Sequence, residues 1–348
     1  MMRIPLRNSH KTWCPTKNRV QAGEPRLKQL WLFNQINSDL QRVEKELHAY
    51  IKTDFPILDQ SAVQLLEAGG KRLRPAFTLL AGKFYGYPID RLLPVAMALE
   101  LIHMATLVHD DVVDASMTRR GRPTVKAKWG NVVSIATGDY LLAKALELLA
   151  QINHPEVSKI LAEVSVEMSQ GEIQQIKASN DVNQNLKQYY YRIKRKTAML
   201  ISASCKLGAL ISAAPRREVW ALGAYGHALG MAFQIVDDVL DVTAEASELG
   251  KPVGGDIRQG IMTLPLILAL HQSGERERLH ELLVKPEKDE DDVREAIKMI
   301  KDSGAIADSM HYVDLYISKA NSYLQELPNV PTRKALVDLA YFVKERKF

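Results

Sequence analysis

Two stretches of the chain crowd carboxylates together. One is His109-Asp110-Asp111-Val112-Val113-Asp114; the other is Gln234-Ile235-Val236-Asp237-Asp238-Val239-Leu240-Asp241. In a helix, residues four apart share a face. Asp110 and Asp114 therefore project side by side with Asp111 flanking, and Asp237, Asp241 and Asp238 repeat the pattern. Bare carboxylates so placed repel one another, so a cation must hold them. Hard oxygen ligands select magnesium, which keeps several waters and completes its shell with substrate phosphates. Two such groups on facing helices would grip one diphosphate between them. Solvated helix ends are the competing account. Both groups, however, close strongly apolar runs, and carboxylates at a helix C-terminus oppose the macrodipole.

Basic residues stand where a diphosphate needs them. Arg119 and Arg120 follow the first acidic group, and guanidinium groups grip phosphate oxygens in pairs. Lys71, Arg72 and Arg74 follow Gly69-Gly70 at a helix start, where free N–H groups favour anions. Lys196 and Thr197 end a basic run beside an apolar stretch, and Lys251 sits in a Gly-rich loop that would close as a lid. His103 lies about two helical turns before Asp110. Each alone also fits a basic surface turn, a charged helix face or a core histidine. Together they predict two diphosphate pockets: one held through metals, the other by basic side chains alone. Apolar helices between them would take hydrocarbon tails.

The elements that must position these groups read as helices throughout. Apolar periodicity spans about 27–51, 56–68 and 75–84, then 91–115 with the first acidic group near its end. A polar loop covers 116–123. Further helices are expected at 132–152, 156–178, 184–213 and 217–243, the last carrying the second acidic group. The Gly-rich loop 249–260 follows, then a helix opening at Thr263-Leu264-Pro265, a charged loop at 286–292 and three shorter helices ending near Lys347. No strand alternation or interdomain linker stands out. The expected fold is all-α, one large helical domain over 26–348.

Composition sets outer limits. The 348 residues are 46% hydrophobic and 25% charged, with net charge +5. That excess suits a protein handling anions, but its basic residues are dispersed, unlike a nucleic-acid footprint. No apolar run of transmembrane length lacks a charge, so no transmembrane segment is expected. Cys14 and Cys205 are the only cysteines, which argues against a structural disulfide and for a reducing cytoplasm. Residues 1–25, basic and broken by prolines, lack the apolar centre of a secretory signal and read as a flexible extension or an overlong start.

These motifs, in this order, resemble the trans-prenyl diphosphate synthases. The matching stretches are Gly-Gly-Lys-Arg-Leu-Arg-Pro at 69–75, His-Asp-Asp-Val-Val-Asp at 109–114 and Arg-Arg-Gly-Arg-Pro-Thr at 119–124. Gly-Asp-Tyr-Leu at 138–141, Lys-Thr at 196–197, Phe-Gln-Ile-Val-Asp-Asp-Val-Leu-Asp at 233–241 and Gly-Lys-Pro-Val-Gly-Gly-Asp at 250–256 complete the set. Wording around 101–130 looks most like the catalytic component of the heptaprenyl-forming bacterial branch. The resemblance implies an isoprenoid-synthase fold, a large helical bundle around a central active-site cavity, and two to three Mg2+ ions on Asp110, Asp111, Asp114, Asp237, Asp238 and Asp241. It implies isopentenyl diphosphate on Lys71, Arg74, His103 and Arg120. An allylic diphosphate, farnesyl diphosphate for instance, would contact Arg119, Lys196, Thr197, Gln234 and Lys251. Ile261 stands where the family often has a lysine, so one phosphate contact from that side is in question.

The implied reaction is ionisation of the allylic diphosphate, attack by isopentenyl diphosphate and loss of a proton to the released diphosphate. Ala105 and Thr106, one turn before Asp110, are small, and Ile102 lies deeper; this floor argues for a product longer than fifteen or twenty carbons. The expected product is heptaprenyl diphosphate for a menaquinone side chain. Expected partners are a second copy or a small regulatory subunit, with peripheral membrane contact for product release and no nucleic acid. Alternatives are another product length, a terpene cyclase, which would not need Lys71, Arg74 and Arg120, and a non-catalytic subunit, which should have lost some aspartates.

Overall fold

The computed structural model describes residues 34–244 and 253–346. The proposed extension at 1–25 and Lys251 with its neighbours in the Gly-rich loop lie outside the described residues. Fifteen helices are named here in chain order: α1 Asn37–Tyr50, α2 Pro56–Glu67, α3 Leu73–Gly82, α4 Ile89–Val113, α5 Val125–Ala150, α6 Pro155–Ala178, α7 Leu186–Ile193, α8 Met199–Ile211, α9 Arg216–Thr243, α10 Gly255–Arg258, α11 Leu264–Gln272, α12 Arg276–Val284, α13 Glu290–Asp302, α14 Ala305–Leu324 and α15 Pro331–Glu345. A two-residue hairpin, Thr118–Arg119 with Arg122–Pro123, is the only sheet among the described residues. The all-α expectation holds.

Two departures from the sequence reading have local causes. Helix α5 begins at Val125 rather than near 132, because the Thr124 hydroxyl accepts from the Ala127 N–H at 3.1 Å and caps it. Gly130 (φ 81°) then kinks the helix, which hid its first turn from periodicity. The expected helix over 184–213 is two helices joined by a π-helical turn, Lys194–Ala198. Its start is fixed by a capping box between Asn185 and Gln188.

Helices α4 and α9 carry the acidic groups near their C-terminal ends. By length and hydropathy alone either could cross a membrane, but 72% of each apolar window is buried inside the fold. They are the core helices of the bundle. Helix α8 packs against both, α5 covers α4, and α14 backs α9. One continuous apolar cluster runs through these contacts, from Leu79 and Leu99 to Leu229 and Ile317.

The approach of α9 to α8 depends on residues without side chains. A Cβ at Gly230 would lie 2.6 Å from the Ala198 Cα. Overpacking such a contact costs about 1–3 kcal/mol. Gly230→Val should therefore lower the thermal midpoint by several degrees and weaken activity in the surviving folded fraction, checked by calorimetry and a steady-state assay.

Candidate active site

The first acidic group lies at the mouth of α4. Asp110 is half-buried, Asp111 buried, and Asp114 forms the helix C-cap. Arg119 reaches back to Asp111: its Nε and Nη2 stand 2.9 and 2.8 Å from the same oxygen, Oδ1. The hairpin places this arginine. Its two-residue loop, Arg120-Gly121, has positive φ at both positions (52° and 70°), a type I′ geometry. A bulky residue at the first of these positions is strained, and strain of this kind clusters at functional sites.

The second acidic group is bound differently. Asp238 is buried; its Oδ1 accepts from Gln234 Nε2 at 2.9 Å and its Oδ2 from the Tyr189 hydroxyl at 2.7 Å. Asp241 accepts the Asp256 N–H at 3.0 Å. Asp237 pairs with Arg346 from the C-terminal end of the chain, Nη1 to Oδ1 2.7 Å, and that guanidinium stacks 4.7 Å from the centroid of Phe233.

One turn of backbone links the two groups. Lys196 and Thr197 sit in the π-helical turn between α7 and α8, a feature frequent at functional sites because it re-aims consecutive side chains. The Lys196 ammonium lies 3.9 Å from Asp110 and 2.8 Å from Glu172 of α6. Thr197 Oγ1 lies 2.6 Å from Gln234 Oε1, and Gln234 in turn holds Asp238. The acidic walls thus meet through adjacent residues of a third helix.

The basic side forms a cleft lined by Gly69, Arg72, Glu100, His103, Arg119 and Arg120. Arg72, in the left-handed region at φ 45°, is tied down structurally. It meets Glu44 at 2.6 and 2.9 Å, Glu100 at 3.1 Å and the Leu66 carbonyl at 2.8 Å. Arg74 is less compensated: its buried Nε makes no hydrogen bond, and burial lowers its pKa to about 10, against the pull of Glu100. It stays charged at neutral pH. Burial, then Arg74, Arg120, Arg119 and Arg72, push the His103 imidazole well below its usual range. It is therefore neutral and suited to donate to a phosphate oxygen. Lys71 lies 6.0 Å from the centroid of Phe342.

The six aspartates stand in unequal surroundings. Tyr189 and Gln234 occupy Asp238, and Arg119 occupies one oxygen of Asp111. Among the described residues no three His, Cys, Asp or Glu side chains converge as a closed metal site. Magnesium does not need one, since one or two carboxylates with waters and substrate phosphates suffice. The residues fit such an ion. Asp111 Oδ2 and Glu172 Oε1 are buried without a hydrogen bond. Burial also raises Asp110 to about 6, and raises Asp114 and Asp238, despite nearby Lys196, Arg119 and Arg192. Asp110 and Asp114, with the open Oδ2 of Asp111, would hold divalent cations on the first wall, and Asp237, paired here with Arg346, would do so on the second.

Glu172, Tyr189 and Arg346 were missed from sequence. Glu172 and Tyr189 fall inside the expected helices 156–178 and 184–213, and Arg346 in the last of the shorter helices, with no local motif to mark any of them. Ala105 and Ile102 are buried beneath Asp110, and Thr106 turns its hydroxyl to the His103 carbonyl at 2.8 Å.

The sequence comparison decides the family. The polyprenyl synthetase family matches residues 55–300. The chain belongs to the polyprenyl synthetase family. It is accordingly a prenyltransferase, and its neighbours agree with that assignment. It is 44% identical to heptaprenyl diphosphate synthase component 2 of Bacillus subtilis (strain 168), over 94% of this chain and 93% of that protein. It is 46% identical to the protein of the same name from Geobacillus stearothermophilus, over 93% of this chain and all of that one. Among solved structures, a polyprenyl synthase from Caulobacter crescentus CB15, complexed with calcium and isoprenyl diphosphate, superposes with a TM-score of 0.88. The two are 37% identical over 91% of this chain and 97% of that one. The isoprenoid-synthase fold is therefore established.

The raised carboxyl of Asp110 gives a signed prediction. A carboxyl held above its ordinary 3.8 binds its proton more tightly in the fold, so its ionisation costs stability as pH rises toward 6. Asp110→Asn removes that cost. Without metal, the variant should be more stable than the parent above pH 6, by on the order of 1–3 kcal/mol. The gain should vanish near pH 4, as read by denaturant titration across pH.

Proposed function

We propose that the chain elongates an allylic diphosphate, farnesyl diphosphate in the first instance, with successive isopentenyl units to heptaprenyl diphosphate for a menaquinone side chain. The observation that carries this is the contact of Lys196 with Asp110 beside that of Thr197 with Gln234. It gives one diphosphate two acidic walls and a fixed cation. Bound Mg2+, held on Asp110, Asp114 and Asp237, would supply Lewis-acid stabilisation of the departing diphosphate.

The chain's own residues do the rest. Asp110 and Glu172 outweigh the effect of burial and keep Lys196 protonated, so its charge meets the leaving group along with that of Arg119. Neutral His103, with Arg74, Lys71 and Arg120, holds isopentenyl diphosphate in the adjoining cleft. Its double bond then attacks the allylic cation, and the proton leaves with the released diphosphate. Lys251 is proposed as a further contact to the allylic diphosphate, and the apolar walls exclude water that would quench the cation.

Length control is assigned to Ala105, with Thr106 and Ile102. A second subunit is proposed on the outer faces of α5 and α6. There Val132 is 82%, Ile135 46% and Leu146 66% exposed, in line along α5, and Val166 and Ile173 continue the apolar surface on α6. The relatives named component 2 favour a separate small component, and a second copy of the chain is the other occupant. A cytoplasmic location is proposed on cysteine usage alone.

Elongation assays with labelled isopentenyl diphosphate and Mg2+, with and without a partner, test the reaction. A C35 product is expected; no elongation under either condition would remove the reading. Lys196→Ala should lower kcat about 100- to 1,000-fold, the usual loss of a preorganised charge contact. Ala105→Phe should shorten the product, and an unchanged chromatographic profile would place the floor elsewhere.

A further inference from the structure

An open groove lies at the end of the bundle opposite the carboxylates. It runs between α8 and α9 and is closed off by the starts of α4 and α6. Arg91 on its wall stands roughly 28 Å along α4 from Asp110. The groove encloses about 920 Å3. Its floor is apolar, made by Leu210, Ile211, Ala214 and Val219. Three cations line it, Arg91, Lys206 and Arg216, against one carboxylate, Glu156, which lies 3.8 Å from Arg216. His154 contributes a buried Nδ1 that makes no hydrogen bond. Trp220 stands on the rim, 61% exposed and edge-on to Tyr323 at 5.5 Å.

We propose that this groove seats the phosphate headgroup of an anionic lipid and docks the base of the enzyme on an anionic membrane surface. An excess of cations suits phosphate, and an apolar floor suits the glycerol and first methylenes behind it. The rim favours a surface over a free anion. Arg216 has a side chain 93% exposed and Arg91 is exposed as well, so alone they would stay hydrated. An exposed indole beside basic residues is the side-chain set that settles at a lipid–water boundary. The purpose rests on the reading above, in which the hydrocarbon tail grows past Ala105 toward this end. The groove itself does not depend on that reading.

Vesicle flotation of the full chain without substrate tests it, so its failure is separable from a failure of elongation. At low salt the protein should float with phosphatidylglycerol-containing vesicles and not with phosphatidylcholine alone. Trp220 emission should shift to the blue, read as the difference from Trp220→Phe. The triple variant Arg91→Gln/Lys206→Gln/Arg216→Gln should bind about 100-fold more weakly, near five-fold per lost cation. It should still elongate a short allylic diphosphate in solution as the parent does. Undiminished vesicle binding by the triple variant, an unmoved Trp220 signal, or the same shift with inorganic phosphate alone would overturn the proposal.

Discussion

Buried negative charge sets the terms for this fold. Two groups of aspartates end the two long core helices, half-buried or buried, where water screens them only in part. The π-helical turn at Lys194–Ala198 resolves the conflict. One residue of the turn sends an ammonium to Asp110, and the next reaches Gln234 and, through it, Asp238. An unbroken α-helix would rotate consecutive side chains about 100° apart, with less freedom to aim both at facing walls. The turn thus fixes the spacing of the cleft as well as part of its charge.

Compensation at the two walls is unequal. Arg119 and Lys196 serve the first wall from exposed or half-buried positions, so they can turn toward an incoming diphosphate. Asp238 is clamped by Tyr189 and Gln234 with no slack, because a buried carboxylate left short of partners would cost several kcal/mol. Its part is to hold Gln234 and the end of α9 in place. Asp237, beside it, takes the Arg346 guanidinium from the far end of the chain, so a divalent cation would have to displace or share that partner.

Much of this was legible in the sequence, for definite reasons. Helical periodicity and the spacing of Asp110, Asp114, Asp237 and Asp241 place carboxylates on shared faces without any knowledge of the fold. The double glycine breaks the chain between two helices, as its residue type implies, and the polar stretch read at 116–123 holds the hairpin. What sequence could not give was long-range pairing. Nothing local distinguishes Glu172 from a solvated glutamate, or Tyr189 from its two tyrosine neighbours. The same holds for the Tyr189 and Gln234 contacts of Asp238, which its motif does not reveal. Periodicity also read α7 and α8 as one helix, since a π-helical turn keeps the apolar face nearly continuous.

The arginine at position 72 carries a lesson about boundaries. It sits in a left-handed conformation that shapes the phosphate loop, and its guanidinium is satisfied by Glu44 of α1 and Glu100 of α4. Glu44 precedes the family-matched segment 55–300, and Arg346 follows it. A shortened protein cut to that segment would keep every recognisable motif. It would nonetheless leave Glu100 as the sole carboxylate on Arg72 and strip Asp237 of its guanidinium. The smallest working unit is thus set by electrostatic neighbours drawn from both ends of the chain.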